Sequence, residues 1–538
     1  MRKIALPFFC ALALAGPFCF APLSDSDTGW HVAVGRLVLA SGIPHRNTLS
    51  WKWGDYPWYA TSWLFDALCA LAGSALGLQV LTFTFLALAL FALCLACETA
   101  WVVPGIALLL VPRLVPRPHL ASWALLAAVL ALAPRGVRAR ALCVALVALG
   151  GNLHSGAVFA AFVLAAESLE AWQRSRRGVE IWLAAGAALA LLANPGVLFN
   201  SGYLLEHLLH VDEVVQLKEM EPPSFLARPA FYLLLPAALI SVVHRRRERP
   251  AQLVCTVVFA ALGLRALRMV SEAQIVWAPA LAWGLSRAPR RLLPAAGLAA
   301  AILAGFSLRL DRAALGLRPS ASWDAALLPV RAARFLEENA IAGPGFNALR
   351  DGGYLEMARP TVPSFIDGRL QAIPQEAWEE LQEAEKSPAT FQALLISLGC
   401  EWAIATRVRE RLGGYRLLNG PLWALVYWDD ASEVFLRRDV PRFAALRERF
   451  EYRHFRPYGA IVGAVEKLDR EGLRELLGEL ERFARTSPGD PFALLDRCAA
   501  LTRLQAAERT AACDEAQARA PPSVLGLVAK ARALQAAP

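Results

Sequence analysis

Eleven apolar runs, at about 4–22, 78–97, 99–112, 119–134, 141–151, 156–171, 180–199, 230–243, 251–266, 271–286 and 292–308, dominate the first part of the chain, and short arginine-bearing loops separate them. An upright helix needs about 20 apolar residues to cross roughly 30 Å of hydrocarbon. Several runs are shorter, so the pattern predicts some broken helices sheltered by their neighbours. Of the 538 residues, 56% are hydrophobic and 19% charged, which is more apolar than ordinary globular proteins at about 45–50%. A single soluble enzyme and a disordered chain are both excluded.

The net charge of +9 is unevenly placed. Residues 1–318 carry net +11 and the remainder net −2, so the surplus belongs to the apolar part and implies no nucleic-acid partner. With Arg2 and Lys3 placed inside, the loops that return inside are 135–140 (RGVRAR), 172–179 (WQRSRRGV), 244–250 (HRRRERP) and 287–291 (RAPRR). These obey the positive-inside rule, and only the turn at Cys97 and Glu98 lacks basic charge. The count requires 141–171 to be two helices meeting between Asn152 and Gly156. One long span there would give ten crossings and put the tail inside. The segment from Met1 to Pro22 reads as an uncleaved first span in preference to a signal peptide. Eleven crossings leave 23–77, 200–229 and everything after 308 outside.

Six of the eight histidines, His31, His45, His119, His154, His207 and His210, fall on that outer side, with His244 inside and His454 in the tail. Such clustering suggests a site, although interfacial loops also attract histidine. The first outer loop begins Asp25-Ser26-Asp27-Thr28-Gly29-Trp30-His31 and continues through a helical stretch from Val32 to Ala40 to Trp51, Trp53, Trp58 and Trp63. It reads as a helix lying on the membrane with an interfacial tryptophan belt. Carboxylates at the mouth of the first span suit proton acceptance from a hydroxyl or a divalent ion held against phosphate. The competing reading makes Asp25 or Asp27 a helix cap. Other outer-edge groups are Arg113, Arg117, His119, Asn152, His154, Asn194, Glu219, Glu221, Arg265 and Arg268. An arginine at a membrane edge needs a partner, and a ligand phosphate is one. Headgroup snorkelling is the alternative for Arg265 and Arg268.

The run DSDTGWHVAVGRLVLASGIPHRNTLSW resembles the first periplasmic loop of a bacterial family of multi-span membrane proteins, whose pattern is Asp-Pro-Asp-x-Trp-Trp-His-Leu, Gly-Arg and Ile-Pro-x-x-Asp-Pro-Phe-Ser. Further motifs of that family are matched by Arg117 to His119, Asn152 to His154, Asn194-Pro195, Glu221, Gly352 to Leu355 and Phe365 to Arg369. The resemblance runs from about 20 to 440. It departs where the family has acidic residues and this chain has Asn47 and Ser62, and where Gly29 replaces a tryptophan. The family looks like the C-type glycosyltransferases (GT-C), which take sugar from a polyprenyl-phosphate donor and use an aspartate of the first outer loop as base or metal ligand. On that resemblance Asp25 and Asp27 are the catalytic candidates, with a divalent metal (Mg or Mn) as an optional cofactor on the same pair. His31, Arg117, His119, Asn152, His154, Glu221 and Arg268 are then expected to bind substrate.

Residues 319–440 mix helical signals at 325–340 and 375–385 with strand-like runs at 403–406, 422–427 and 434–436, a small soluble α/β domain. Asp351-Gly352-Gly353 and Asp367-Gly368-Arg369 have turn chemistry, although Arg369 could instead reach a glycan or lipid phosphate. From 441 to 538 the pattern is amphipathic helices resembling tetratricopeptide hairpins. Seven of the ten cysteines lie in or beside apolar runs, while Cys498 and Cys513 are placed to form a disulfide if the tail meets an oxidising compartment.

The expected architecture is therefore mainly α, with a GT-C-like membrane domain over 1–318 and a periplasmic remainder, in the bacterial inner membrane. The expected activity is transfer of a sugar from polyprenyl phosphate to a periplasmic lipid or glycan acceptor. The alternative is a non-catalytic envelope scaffold that binds a protein partner through the outer domain and helical tail. A lipid transporter ranks third, since no ionisable relay is visible deep in the runs.

Overall fold

The computed structural model describes residues 2–196, 218–287, 319–406, 414–456, 464–521 and 525–535. The chain is mainly helical with one small mixed sheet. It divides into two compact units: Met1–Asn47 with Pro57–Trp323, and Thr48–Tyr56 with Asp324–Pro538.

In the first unit the apolar runs form helices, but proline and 3-10 turns shorten many of them. The run at 99–112 becomes a 3-10 turn, the helix Val103–Leu110 and a second 3-10 turn, with Pro104 and Pro112 at the joints. Among the described residues one helix, Ala75–Ala96, is long and apolar enough to cross a membrane. Shorter apolar helices of this unit, among them Trp63–Ala72, Pro229–His244 and Pro250–Arg265, run to 10–17 residues. Chain 137–175 forms two helices, Val137–Leu153 and Ala157–Ser175, with the break at His154 to Gly156. The run at 292–308 and most of the loop at 200–229, with His207 and His210, lie outside the described residues. The core gathers Leu86, Leu90, Trp123, Leu126, Phe259 and Trp277, with the Trp277 ring stacked on Phe231 at 5.1 Å.

The arginine clusters of this unit are not bare charge. Arg140 makes a buried two-bond grip on Glu180 at 2.9 and 2.6 Å. Arg249 reaches Glu167 at 2.5 Å and Glu170 at 3.3 Å, and Glu170 also accepts the Ala251 N–H, at the start of helix Pro250–Arg265. Glu98, the acidic residue of the one loop without basic charge, receives Arg287 at 3.0 Å and Arg245 at 3.5 Å.

The first outer loop is packed more deeply than an interfacial helix would be. Helix Asp27–Ser41 lies against helix Trp63–Ala72 at a contact that only glycine permits. A Cβ on Gly35 would stand 1.9 Å from the Asp66 carbonyl oxygen and 2.9 Å from the Ala70 Cβ. The tryptophans do not form a belt. Trp51 donates to the Gly345 carbonyl at 2.8 Å, Trp51 and Trp53 pack on Phe365, Trp58 is buried, and Trp63 donates to Asn152.

The second unit is built on a four-stranded sheet of order β1-β2-β4-β3, with β1 (Gly345–Asn347), β2 (Trp402–Thr406), β3 (Trp423–Trp428) and β4 (Ser432–Arg437). β1 runs parallel to β2 and the other pairs are antiparallel. The helical tail shares this core: Trp428 packs on Phe483 at 4.2 Å and on Phe455 at 4.8 Å. Cys498 and Cys513 are joined by a disulfide. Arg369 is 2% exposed, so it does not reach out to a ligand. Its guanidinium grips Asp367 at 2.8 and 2.5 Å and lies 3.7 Å from Glu356. Burial and the neighbouring Asp367 raise the Glu356 carboxyl well above its usual range. Asp367 works against the same burial, and Arg369 holds it below its own. A proton on Glu356 also supplies the hydrogen that its otherwise unbonded Oε2 lacks.

Gly35→Ala forces the two helices apart and is expected to cost about 1–3 kcal/mol, read as a fall in melting temperature. Gly105→Ala, where a Cβ meets nothing within 4 Å, is the control and leaves the melt nearly unchanged. In the second unit, Glu356 adds stability that is fully present below its ordinary value of 4.5 and is lost as pH rises through its raised value. Glu356→Gln, which mimics the protonated acid, therefore flattens that decline in a pH series of thermal melts. Asp367→Asn strands a buried guanidinium and costs about 3–5 kcal/mol.

Candidate functional site

The start of helix Asp27–Ser41 brings two carboxylates to one guanidinium. Arg117 donates Nη2–H to Asp25 Oδ1 at 2.7 Å and Nε–H to Asp25 Oδ2, and the same Nη2 lies 2.8 Å from Asp27 Oδ2. Asp25 Oδ1 also accepts the Asp27 backbone N–H at 3.2 Å. The cap position itself belongs to Ser26, whose side chain makes no capping bond, so neither aspartate is the N-cap. Arg117 stands on a turn between Pro116 and Pro118, tightened by Val115 N–H to Arg113 O at 2.9 Å and Arg117 N–H to Val115 O at 2.7 Å. Burial alone would lower the Arg117 guanidinium; Asp25 and Asp27 outweigh it and hold the group above its usual value. Asp27 is the more accessible carboxylate, 22% exposed against 11% for Asp25.

A cavity of about 150 Å³ opens in the same unit. Its polar lining is Arg113, Arg228, Arg268, Glu219, Ser271 and Gln274, and Phe231, Leu267 and Val270 are among its apolar walls. Arg113 donates to the Arg268 carbonyl and lies 3.6 Å from Glu272. The Arg268 guanidinium has Met220 Sδ within 3.6 Å, a weak acceptor that leaves its other N–H groups for a ligand. Gln274 is 3% exposed and its Oε1 accepts no hydrogen bond, an unmet acceptor in the cavity wall. Arg113 lies within electrostatic reach of Arg117, Glu219 and Arg268, and Arg117 within reach of Glu219. The arrangement supplies fixed N–H donors for an anion and one acceptor for a hydroxyl beside it.

The nominated residues fall into distinct settings. Asp25, Asp27 and Arg117 meet in one cluster, and Arg268 lines the cavity. His31 is buried, with Nδ1 2.6 Å from Asp66 Oδ1 across the helix contact at Gly35. His119 is buried and has Nε2 2.9 Å from the Arg113 carbonyl, which steadies the turn carrying Arg113 and Arg117. Asn152 accepts from Trp63 Nε1 at 2.8 Å and donates to the Ala148 carbonyl at 2.9 Å, so both ends of its amide serve packing. His154 Nδ1 accepts the Gly156 N–H at 3.1 Å and has Ser122 Oγ at 2.7 Å, which fixes the neutral tautomer with hydrogen on Nε2. Glu221 has an exposed side chain, and its carbonyl accepts the Leu267 N–H at 2.8 Å. The carboxylate that lines the cavity is Glu219.

Among the described residues, no set is placed to hold the optional divalent metal. Both carboxylates are already bonded by Arg117, and among the described residues no group of three or more His, Cys, Asp or Glu is placed to hold an ion.

No protein-family model matches the sequence, and no curated protein matches it. Among solved structures, an archaeal oligosaccharyltransferase, AglB from Archaeoglobus fulgidus in complex with an inhibitory peptide and a dolichol-phosphate, is similar over 75% of this chain and 69% of that chain, with a TM-score of 0.51 and 12% identity. The chain is thus similar in fold to that oligosaccharyltransferase.

Sequence reasoning passed over Asp66, Glu272 and Gln274. Glu272 is buried, and its Oε1 accepts from Trp123 Nε1 at 3.1 Å. Glu272 and Gln274 both stand in the apolar helix Val270–Arg287, and polar residues inside an apolar helix were the available signal. Asp66→Ala removes the buried partner of His31 and is expected to cost about 1–3 kcal/mol, measured as a lower melting temperature of the purified protein in detergent.

Proposed function

We propose that this protein is a membrane-embedded glycosyltransferase that moves a sugar from a polyprenyl-phosphate donor to an acceptor hydroxyl on a lipid or glycan. The observation that carries the reading is an arginine-lined cavity with an unmet acceptor, within electrostatic reach of an arginine that holds two carboxylates, in a GT-C-type fold. The neighbouring fold was solved with a dolichol-phosphate and a peptide, which suits a lipid-linked donor and a separate acceptor here.

In this reading Arg268 and Arg113 receive the donor phosphate, and Gln274 Oε1 accepts from a sugar hydroxyl. Asp27, the more accessible carboxylate, takes the proton from the acceptor hydroxyl while Asp25 and Arg117 fix its position. The acceptor oxygen bonds to the anomeric carbon as the bond from that carbon to the phosphate oxygen breaks. The electron pair leaves with the phosphate, where the arginines stabilise the charge that develops.

The reading places the first unit across the bacterial inner membrane in eleven spans, with the residues after 308 in the periplasm. The Cys498–Cys513 disulfide supports that side, because disulfides persist in oxidising compartments. Asn47 and Ser62, where the resembling family is acidic, are what favours the second reading, a non-catalytic scaffold that binds an envelope protein.

Two measurements test the proposal. Arg268→Gln is expected to weaken binding of sugar-free polyprenyl phosphate to the purified protein by about tenfold or more. Asp27→Asn is expected to lower sugar transfer in reconstituted membranes by about 10²–10⁴ while leaving polyprenyl-phosphate binding intact. Full transfer by Asp27→Asn overturns the assignment of the base. A wild-type protein that binds no polyprenyl phosphate and retains a protein partner instead supports the scaffold.

A further inference from the structure

The acidic pair and its arginine make a complete charge unit without any ion. Two carboxylates of like sign lie two residues apart, Asp25 with 11% and Asp27 with 22% of its side chain exposed, and a cation between them offsets their repulsion. Arg117 is that cation. Its planar fork takes both oxygens of Asp25 through Nε and Nη2, and Nη2 also reaches Asp27, a bridging geometry that a guanidinium provides and an ammonium does not. The arginine is built in, not swung over from solvent. Prolines 116 and 118 flank it, two tight backbone bonds fix its turn, and His119 is anchored on the same turn through the Arg113 carbonyl.

A divalent ion would need to displace the guanidinium and then find further oxygen or nitrogen ligands. Among the described residues no third His, Cys, Asp or Glu is placed to complete such a set. The charged side chains around the cluster are of both signs, Glu219 beside Arg117 and Arg113 with Arg268 beyond it, so the guanidinium of Arg117 is the group that an incoming cation would have to displace.

We propose that Arg117 is the resident cation of the Asp25–Asp27 pair and takes the place of a divalent metal, so that the reacting carboxylates are organised by the chain itself. Arg117 is thus a positioning residue: one guanidinium, fixed on its own turn, holds both carboxylates in place.

The inference rests on reading Asp25 and Asp27 as the reacting pair, but its test needs no substrate and so fails separately from sugar transfer. Mn²⁺ binding to the full chain in detergent is followed by electron paramagnetic resonance, with thermal melting alongside. The wild-type protein is expected to show no Mn²⁺ signal that depends on Asp25 or Asp27 and no rise in melting temperature with Mn²⁺. Arg117→Gln frees both carboxylates and is expected to bind Mn²⁺ about tenfold or more tightly than the wild type, a gain that Asp27→Asn added to it removes. Arg117→Lys keeps the charge and is expected to keep Mn²⁺ out. Wild-type binding that Asp27→Asn abolishes overturns the proposal, and so does an Arg117→Gln protein that gains no site. Should Arg117→Gln not fold, the wild-type melt decides: stabilisation by Mn²⁺ that Asp27→Asn cancels overturns the proposal, and its absence supports it.

Discussion

Charge pairing in apolar surroundings organises the first unit. Removing an arginine or a carboxylate from water costs several kcal/mol unless an opposite charge with good geometry meets it, and this chain meets that demand with arginine forks. Arg140 with Glu180, Arg249 with Glu167 and Glu170, and Arg117 with Asp25 and Asp27 are the same solution at different places. The first two tie helices together. The third differs in the exposure of its acids, since Asp27 keeps 22% of its side chain open against 9% and 6% for Glu167 and Glu170. Arg268 differs in another way, because the contact of its guanidinium is a sulfur atom and the cavity in front of it is empty of carboxylate except Glu219.

The sequence makes local features legible and distant partners opaque. The break at His154 to Gly156 and three of the four strands follow from hydrophobic period and turn residues, since each depends on neighbours within a few positions. Strand β1 is only Gly345–Asn347 and carries too little pattern to read. Asp25, Asp27 and Arg117 stand out as polar groups at the ends of apolar runs, whereas the fork that joins them spans 92 positions. The same distance effect hides the others: His31 and Asp66 are 35 apart, Asn152 and Trp63 are 89 apart, and Trp123 and Glu272 are 149 apart. Arg369 is the opposite case. Its partner Asp367 is two residues away, yet nothing in a turn-like Asp-Gly-Arg says whether the guanidinium folds inward or points outward.

Positive-inside reasoning and the pairing pattern together refine what the arginine clusters mean. A loop arginine that meets a buried glutamate no longer advertises its full charge, and Glu98 draws two arginines from other loops to the one turn that has none. The exposed remainder, such as Arg246 and Arg247, keeps the charge that marks the side of a membrane. Structural arginines and topological arginines therefore sit in the same short clusters, and composition cannot separate them.

The segment Thr48–Tyr56 belongs to the second unit although it is encoded inside the first. Ser50 donates to the Phe365 carbonyl at 2.8 Å, the Trp51 N–H reaches the Ser364 carbonyl, and Ser364 donates in return to Leu49. The backbone therefore passes between the units at three peptide links. A protease cut near Asp324 leaves both parts still joined through the borrowed strap, and a truncation that begins at Asp324 loses the strap with its two tryptophans. The second unit is therefore not a self-contained stretch of sequence: some of its wall is written into the loop that carries the acidic pair.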